Sequence, residues 1–168
     1  QQLEDAELCC LVETFPAKHD DYDDYVKTLE IAYMYGKTVT LINTHWPETN
    51  AIMLKNRRIG LSQSGVIQSF NKFGRRTMLQ WCDEAYKHVG ELDKEYSDWL
   101  CVPRSVRMTS IKPSGTVSLL NGSTPGIHYP EDEYYIRRIR FAETSDILPT
   151  LEKAGYKIEK DSYSPNTM

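Results

Sequence analysis

Apolar positions along the chain change period several times, and each change predicts an element. Leu8, Cys9, Cys10, Leu11, Val12 and Phe15 form a short, nearly continuous apolar run closed by Pro16, which predicts a buried strand. From Tyr22 the period lengthens. Tyr22, Tyr25, Val26, Leu29 and Tyr33 recur three and four residues apart, as on one face of a helix, and Asp20, Asp21, Asp23 and Asp24 stand at its start, where carboxylates oppose the positive end of the helix dipole. A divalent-metal site is the other use for such a cluster, but neither the glycine nor the terminal glutamate of an EF-hand accompanies it. After the turn His45-Trp46-Pro47, Pro47 suits the first position of a short helix running through Asn56. The stretch from Arg57 to Gly65 then reads as a strand ending in a loop of small residues. Such residues either floor a ligand site or let a neighbouring backbone pack closely.

The longest helix is expected from Arg75 to about Trp99, with Met78, Trp81, Ala85, Val89, Leu92, Tyr96 and Trp99 on one face as core. Val106 to Ile111 and Tyr134 to Phe141 have strand composition, Gly122 to Gly126 is a loop, and Ser145 to Gly155 is helical with a cap at each end. Strands alternating with helices predict an α/β layer or barrel, folded as a single domain over 1–168.

With 168 residues, 40% of them hydrophobic and 11% aromatic, the chain can bury a real core. A net charge of −4 argues against a broad nucleic-acid surface. A local basic pocket for a nucleotide could still form where Arg57-Arg58, Arg75-Arg76 or Arg137-Arg138-Arg140 lie. No apolar stretch approaches the roughly 20 residues of a membrane span, so a cytoplasmic protein is expected. A start at Gln1 and an end at Met168 without a terminating signal suggest a piece of something longer. Cys9, Cys10, Cys82 and Cys101 lack C-x-x-C spacing and paired histidines, so no metal site is expected and reduced thiols are the default.

The run from Thr109 to Leu120 carries the most chemistry. Pro113 presets φ, Gly115 permits close backbone approach, and the amides of Ser114, Gly115, Thr116 and Val117 at a helix start would point at a phosphate, helped by the hydroxyls of Ser114 and Thr116. An ordinary strand-to-helix connection with a cap explains the same residues.

Four blocks in order, Leu8 to Pro16, Lys55 to Gly65, Lys112 to Val117 and Tyr135 to Phe141, resemble the class II, adenosylcobalamin-dependent ribonucleotide reductases, nearest the ribonucleoside-triphosphate reductase type. The resemblance implies part of that family's ten-stranded α/β barrel. It implies that Cys9 is one of the two thiols that reduce the substrate; a buried strand cysteine is the plainer reading, and it suits Cys10 better, since an adjacent strand residue points to the opposite face. It also implies that Pro113, Ser114, Gly115, Thr116 and Val117 bind the substrate phosphates, with adenosylcobalamin as cofactor and thioredoxin or a similar dithiol as reductant. Lys112 would add charge there or remain a solvated lysine; Cys82 and Cys101 match no catalytic position and are expected to be structural. The family's Asn-Pro-Cys-Gly-Glu loop would lie just before Gln1, and its other redox cysteines are absent from this sequence. The chain alone is therefore expected to turn over nothing without the remaining portions of the reductase, and to associate through uncovered strand edges. A reductase with a diiron radical source, or a nucleotide-binding module without catalysis, are the alternatives.

Overall fold

The apolar run at residue 10 does fold as a strand, and the helical periods behind it bring the chain back parallel to itself. In the computed structural model, which describes residues 2–132 and 134–168, β1 (Cys10–Thr14) leads through a 3-10 turn (Pro16–Lys18) into α1 (Tyr22–Val39), α2 (Pro47–Asn56) and β2 (Ile59–Gln63). The strands pair in parallel, Cys10 opposite Ile59 and Thr14 opposite Gln63. Asp21 caps α1, its carboxylate accepting from the Asp24 amide at 2.9 Å, which accounts for one member of the acidic cluster.

Because side chains alternate across a strand, the sheet has two unlike faces. Val12, Ile59 and Leu61 point at the helices: a Cβ on Gly36 of α1 would sit 3.1 Å from Ile59 Cγ2 and 3.2 Å from Val12 Cγ2, so the missing side chain lets α1 lie close on the sheet. Tyr25, Leu29 and Tyr33 of α1 and Met78, Trp81, Ala85, Val89, Leu92 and Tyr96 of α4 (Arg75–Leu100) complete this core. Trp99 does not join it; one residue from the end of α4 it has run off the core and is 65% exposed. A helix not expected from the sequence, α3 (Val66–Phe73), lies between Gly65 and Gly74, both at positive φ, and packs Phe70 and Phe73 against the core.

A buried polar knot fixes α1 to α4 and to the connection after it. Asp93 Oδ1 accepts from Lys37 Nζ and from the Tyr33 hydroxyl, each at 2.8 Å, and Asp93 Oδ2 from the Ser105 amide at 3.0 Å; Lys37 also donates to the Pro103 carbonyl. Burial works to raise the Asp93 carboxyl, and the hydrogen bonds from Lys37, Tyr33 and Ser105 outweigh it and hold it below the ordinary range. The knot delivers residues 107–110 to the free edge of β2. There the Ile59 and Leu61 amides donate to the Arg107 and Met108 carbonyls, and the Ser110 amide donates to the Leu61 carbonyl. The expected strand 106–111 is reduced to a single parallel bridge, Leu61 with Thr109, because β2 advances two residues between acceptors that are adjacent on the other segment.

Contacts divide the chain into Gln1–Pro130 and Glu131–Met168. In the second unit the strand expected over 134–141 is not regular. Strand pairing depends on a neighbour, and among the described residues this segment pairs at its end, in the antiparallel bridge of Ala142 with Thr167 and the reciprocal bonds of Phe141 with Met168. The helix expected over 145–155 shortens to α6 (Leu148–Lys153), with Pro149 in its first turn.

Candidate active site

The second face of the sheet carries Cys9, Leu11 and Glu13 on one strand and Gly60 and Ser62 on the other. Gly60 belongs there for a steric reason. A Cβ at this position would lie 2.5 Å from Leu11 Cδ2, 2.9 Å from Cys9 Sγ and 3.1 Å from Ser110 Cβ, so the thiol of Cys9 occupies the slot that the glycine leaves open. Burial raises the Cys9 thiol above its usual range, against the pull of Arg58, and keeps it protonated at neutral pH. Cys10, one residue on, shares the helix-side face with Val12, as strand alternation requires, and burial raises its thiol too. No disulfide links the four cysteines. Cys82 on α4 is half-buried and receives the Gln63 side-chain amide at 3.2 Å, whereas Cys101 is exposed at the end of α4.

The 112–126 segment is held against the far end of this same face. The Lys112 amide donates to Ser62 Oγ at 3.0 Å and the Gly126 amide to Ser64 Oγ at 2.8 Å. Between these feet Ser114 adopts a left-handed backbone, φ 51°, without being glycine, and its carbonyl accepts from both the amide and the hydroxyl of Ser118. Helix α5 is one turn, Val117–Leu120, starting after Thr116, so Ser114 to Thr116 form the turn before it. Gly115 has open space where a Cβ would stand, and the Ser114 and Ser123 hydroxyl oxygens are buried with no hydrogen-bond partner among the described residues. Buried hydroxyls left unsatisfied are costly, and a polar ligand is one way to satisfy them.

Members of two of the three basic clusters bind groups of the protein itself. Arg58 is buried against Glu7 at 2.7 Å, and Arg57 reaches the Thr40 carbonyl at 2.5 Å. Arg138 and Arg140 of the second unit pair at the surface with Glu159 and Asp161. The sequence singles out Cys9 and the turn, and offers the small residues of 57–65 as either a ligand floor or a close-packing surface; Gly60 takes the close-packing role, while Ser62 and Ser64 hold the base of the turn. The alternation of small residues through Gly60-Leu61-Ser62-Gln63-Ser64 is the signal that marks them, since every second residue there is one that leaves space.

The chain is 55% identical over 159 residues, 95% of its length, to a Dictyostelium discoideum protein named "Probable adenosylcobalamin-dependent ribonucleoside-triphosphate reductase". It is 50% identical over 166 residues to the adenosylcobalamin-dependent ribonucleoside-triphosphate reductase of Euglena gracilis, and 32% identical over 191 residues to that of Lactobacillus leichmannii. It spans 21%, 23% and 26% of the length of these three relatives. A solved structure of a B12-dependent, class II ribonucleotide reductase superposes on 98% of the chain with a TM-score of 0.81 at 31% identity, the chain covering 27% of it. No protein-family model matches the chain.

Proposed function

The chain belongs to the class II, adenosylcobalamin-dependent ribonucleotide reductases, and from that premise we propose that it supplies one redox thiol and the substrate-phosphate turn to a ribonucleoside-triphosphate reductase. The observation that carries this is the shared face: Cys9 sits against Gly60, and the turn is fastened to Ser62 and Ser64 of the same strand, β2, and its extension. Cys9 and Glu13, which mark the two ends of that face on β1, are separated by about 13 Å at the usual rise of a strand, a span that a nucleotide bridges from ribose to phosphates.

In the reaction the ribose 2′ hydroxyl leaves as water while two thiols are oxidised to a disulfide. Each thiol gives one electron and one proton; of the two hydrogens so supplied, one leaves in the water and the other replaces the hydroxyl. Cys9 is one of these thiols; its partner comes from the remaining portions of the reductase. A protonated thiol has the hydrogen to give, and the burial that keeps Cys9 protonated suits that role. The amides of Ser114 to Val117 and the hydroxyls of Ser114 and Thr116 hold the phosphates, so that binding energy at one end of the nucleotide fixes the sugar at the other. Thioredoxin or a similar dithiol then restores the pair by exchange.

Adenosylcobalamin supplies the radical chemistry that starts the reaction. Two clefts among the described residues do not fit it: one, 710 Å³, is rimmed by charged and amide side chains including Glu4, Asp5, Asn56, Arg58 and Arg107, and another encloses 210 Å³ between the sheet and α4. Neither offers a broad apolar floor for a corrin. Among the described residues no helix is long and apolar enough to cross a membrane.

The test is deoxyribonucleotide formation by the reductase assembled around this chain, with adenosylcobalamin and dithiothreitol. Cys9→Ser is expected to abolish multiple turnovers while leaving ribonucleoside-triphosphate affinity within about twofold, since the substituted atom lies at the sugar end. Sustained turnover by Cys9→Ser would overturn the assignment. So would a Ser114→Pro variant that binds triphosphate as well as the unsubstituted enzyme.

A further inference from the structure

Glu13 is a carboxylate on the open face of the sheet, yet its side chain is only 4% exposed. Leu11, two residues earlier on that face, is 46% exposed. The polar residue is thus the covered one, which reverses the usual economy of a strand. What covers it is the base of the 112–126 loop. Ser64 donates its hydroxyl to Glu13 Oε1 at 2.5 Å, and Lys112 Nζ stands 3.4 Å from Glu13 Oε2. The two feet of the loop touch: a Cβ on Gly126, at φ 51°, would lie 2.9 Å from the Lys112 carbonyl oxygen.

We propose that Glu13 is the positioning residue of the phosphate turn, clamping both feet of the loop that carries it. One arm runs through Ser64. A carboxylate can only accept, so it fixes the Ser64 proton toward itself and leaves the Ser64 lone pairs for the Gly126 amide. The other arm is the ammonium of Lys112, the residue before Pro113; the Lys112 amide is already tied to Ser62. With both feet held, Ser114 keeps its left-handed backbone and the amides that follow keep their direction. Glu13 Oε2 receives no hydrogen bond among the described residues, so the carboxylate is not placed for its own stability alone. This role rests on the phosphate-binding reading of the turn.

The reductase assembled around this chain, with adenosylcobalamin and dithiothreitol, separates the possibilities when ribonucleoside triphosphate is varied. Glu13→Gln, which keeps the shape and an acceptor for Ser64, is expected to raise KM about tenfold, the scale of one lost charged contact, with kcat within about twofold. Lys112→Met should raise KM as well, and the double variant should be no worse than Glu13→Gln alone, because both cut the same arm. Amide hydrogen exchange across 114–125 should quicken in each. An unchanged KM with a lowered kcat, or KM effects that add fully in the double variant, would overturn the proposal. If Glu13→Gln does not fold, Ser64→Ala severs the other arm with the pair to Lys112 intact; an unchanged KM there overturns the proposal equally. Absence of saturable triphosphate dependence in the unsubstituted enzyme would instead overturn the phosphate-binding reading, and this role with it.

Discussion

The two faces of one short sheet are built by opposite rules. Toward the helices, Val12, Ile59 and Leu61 meet large side chains from α1 and α4, and glycine is used where a helix must come close, at Gly36. Away from them, Gly60 and Ser62 are small, Leu11 is half in solvent, and the residues between hold a thiol at one end and a loop base at the other. Backbone register is common to both faces, so whatever stabilises the first also positions the second. Energy should therefore reside mainly on the helix side and chemistry mainly on the open side, a division that substitutions can break.

The largest effect is expected from the polar knot behind the helix-side face. Lys37→Ala leaves Asp93 buried without its ammonium, and the loss of folding stability should reach about 3–5 kcal/mol in a denaturant titration. The same knot gives a pH dependence. Asp93 has a folded pKa below its unfolded one, so its stabilisation is fully present above the ordinary carboxyl range, above about pH 4, and is lost as pH falls through the depressed folded value. Asp93→Asn should flatten that acid limb of the stability curve. Equal acid sensitivity in the two proteins would remove the knot from its place as the main link between α1 and α4.

What could be read in advance follows the same division. The helices α1 and α4 and the strands β1 and β2 were legible because their apolar residues face a core within this chain, and a core imposes a period; α2 was legible from Pro47 at its start. Helix α3 was passed over although Val66, Ile67, Phe70 and Phe73 are spaced for a helix between Gly65 and Gly74; eight residues between glycines resemble a loop until the packing of the two phenylalanines is seen. Trp99 misled in the opposite sense, since it keeps the period of α4 after the partner surface has ended. The segments 106–111 and 134–141 have strand composition, but pairing is a property of two segments, and composition describes one. On the open face Pro113 to Val117 were legible through local chemistry, and Cys9 only through the family resemblance. Glu13 was not, because a lone glutamate in a strand acquires meaning only when Ser64 and Lys112 arrive from 51 and 99 residues away.

Gly60→Ala tests the boundary between the faces and should have an intermediate effect. The new Cβ meets Leu11 Cδ2 and Cys9 Sγ first, both ends of side chains able to rotate, and then Ser110 Cβ at 3.1 Å, which must give by a few tenths of an ångström. The fold should lose only about 1 kcal/mol, at the low end for overpacking. The thiol, however, must leave its slot. Turnover in the assembled reductase should fall by more than tenfold, and the rate of Cys9 alkylation by iodoacetamide should rise as the sulfur moves toward solvent. A variant that loses several kcal/mol but keeps its turnover would show that the open face serves packing after all.

Leu11→Ser should have the smallest effect on the fold. Its side chain is already 46% exposed and sits among small residues, so the change in stability should stay within about 0.5 kcal/mol. Its consequence should instead be colloidal. Leu11 and Ile111, the latter 62% exposed, are apolar side chains left uncovered in the first unit, and they favour association of the isolated chain. Sedimentation velocity at increasing concentration should show self-association of the unsubstituted chain and less of it in Leu11→Ser. If serine leaves the association unchanged, the sticky surface lies elsewhere. The outward side of α1, where Ile31 and Tyr35 are exposed, would be the next to substitute. The contrast between the faces would then hold for chemistry and stability but not for assembly.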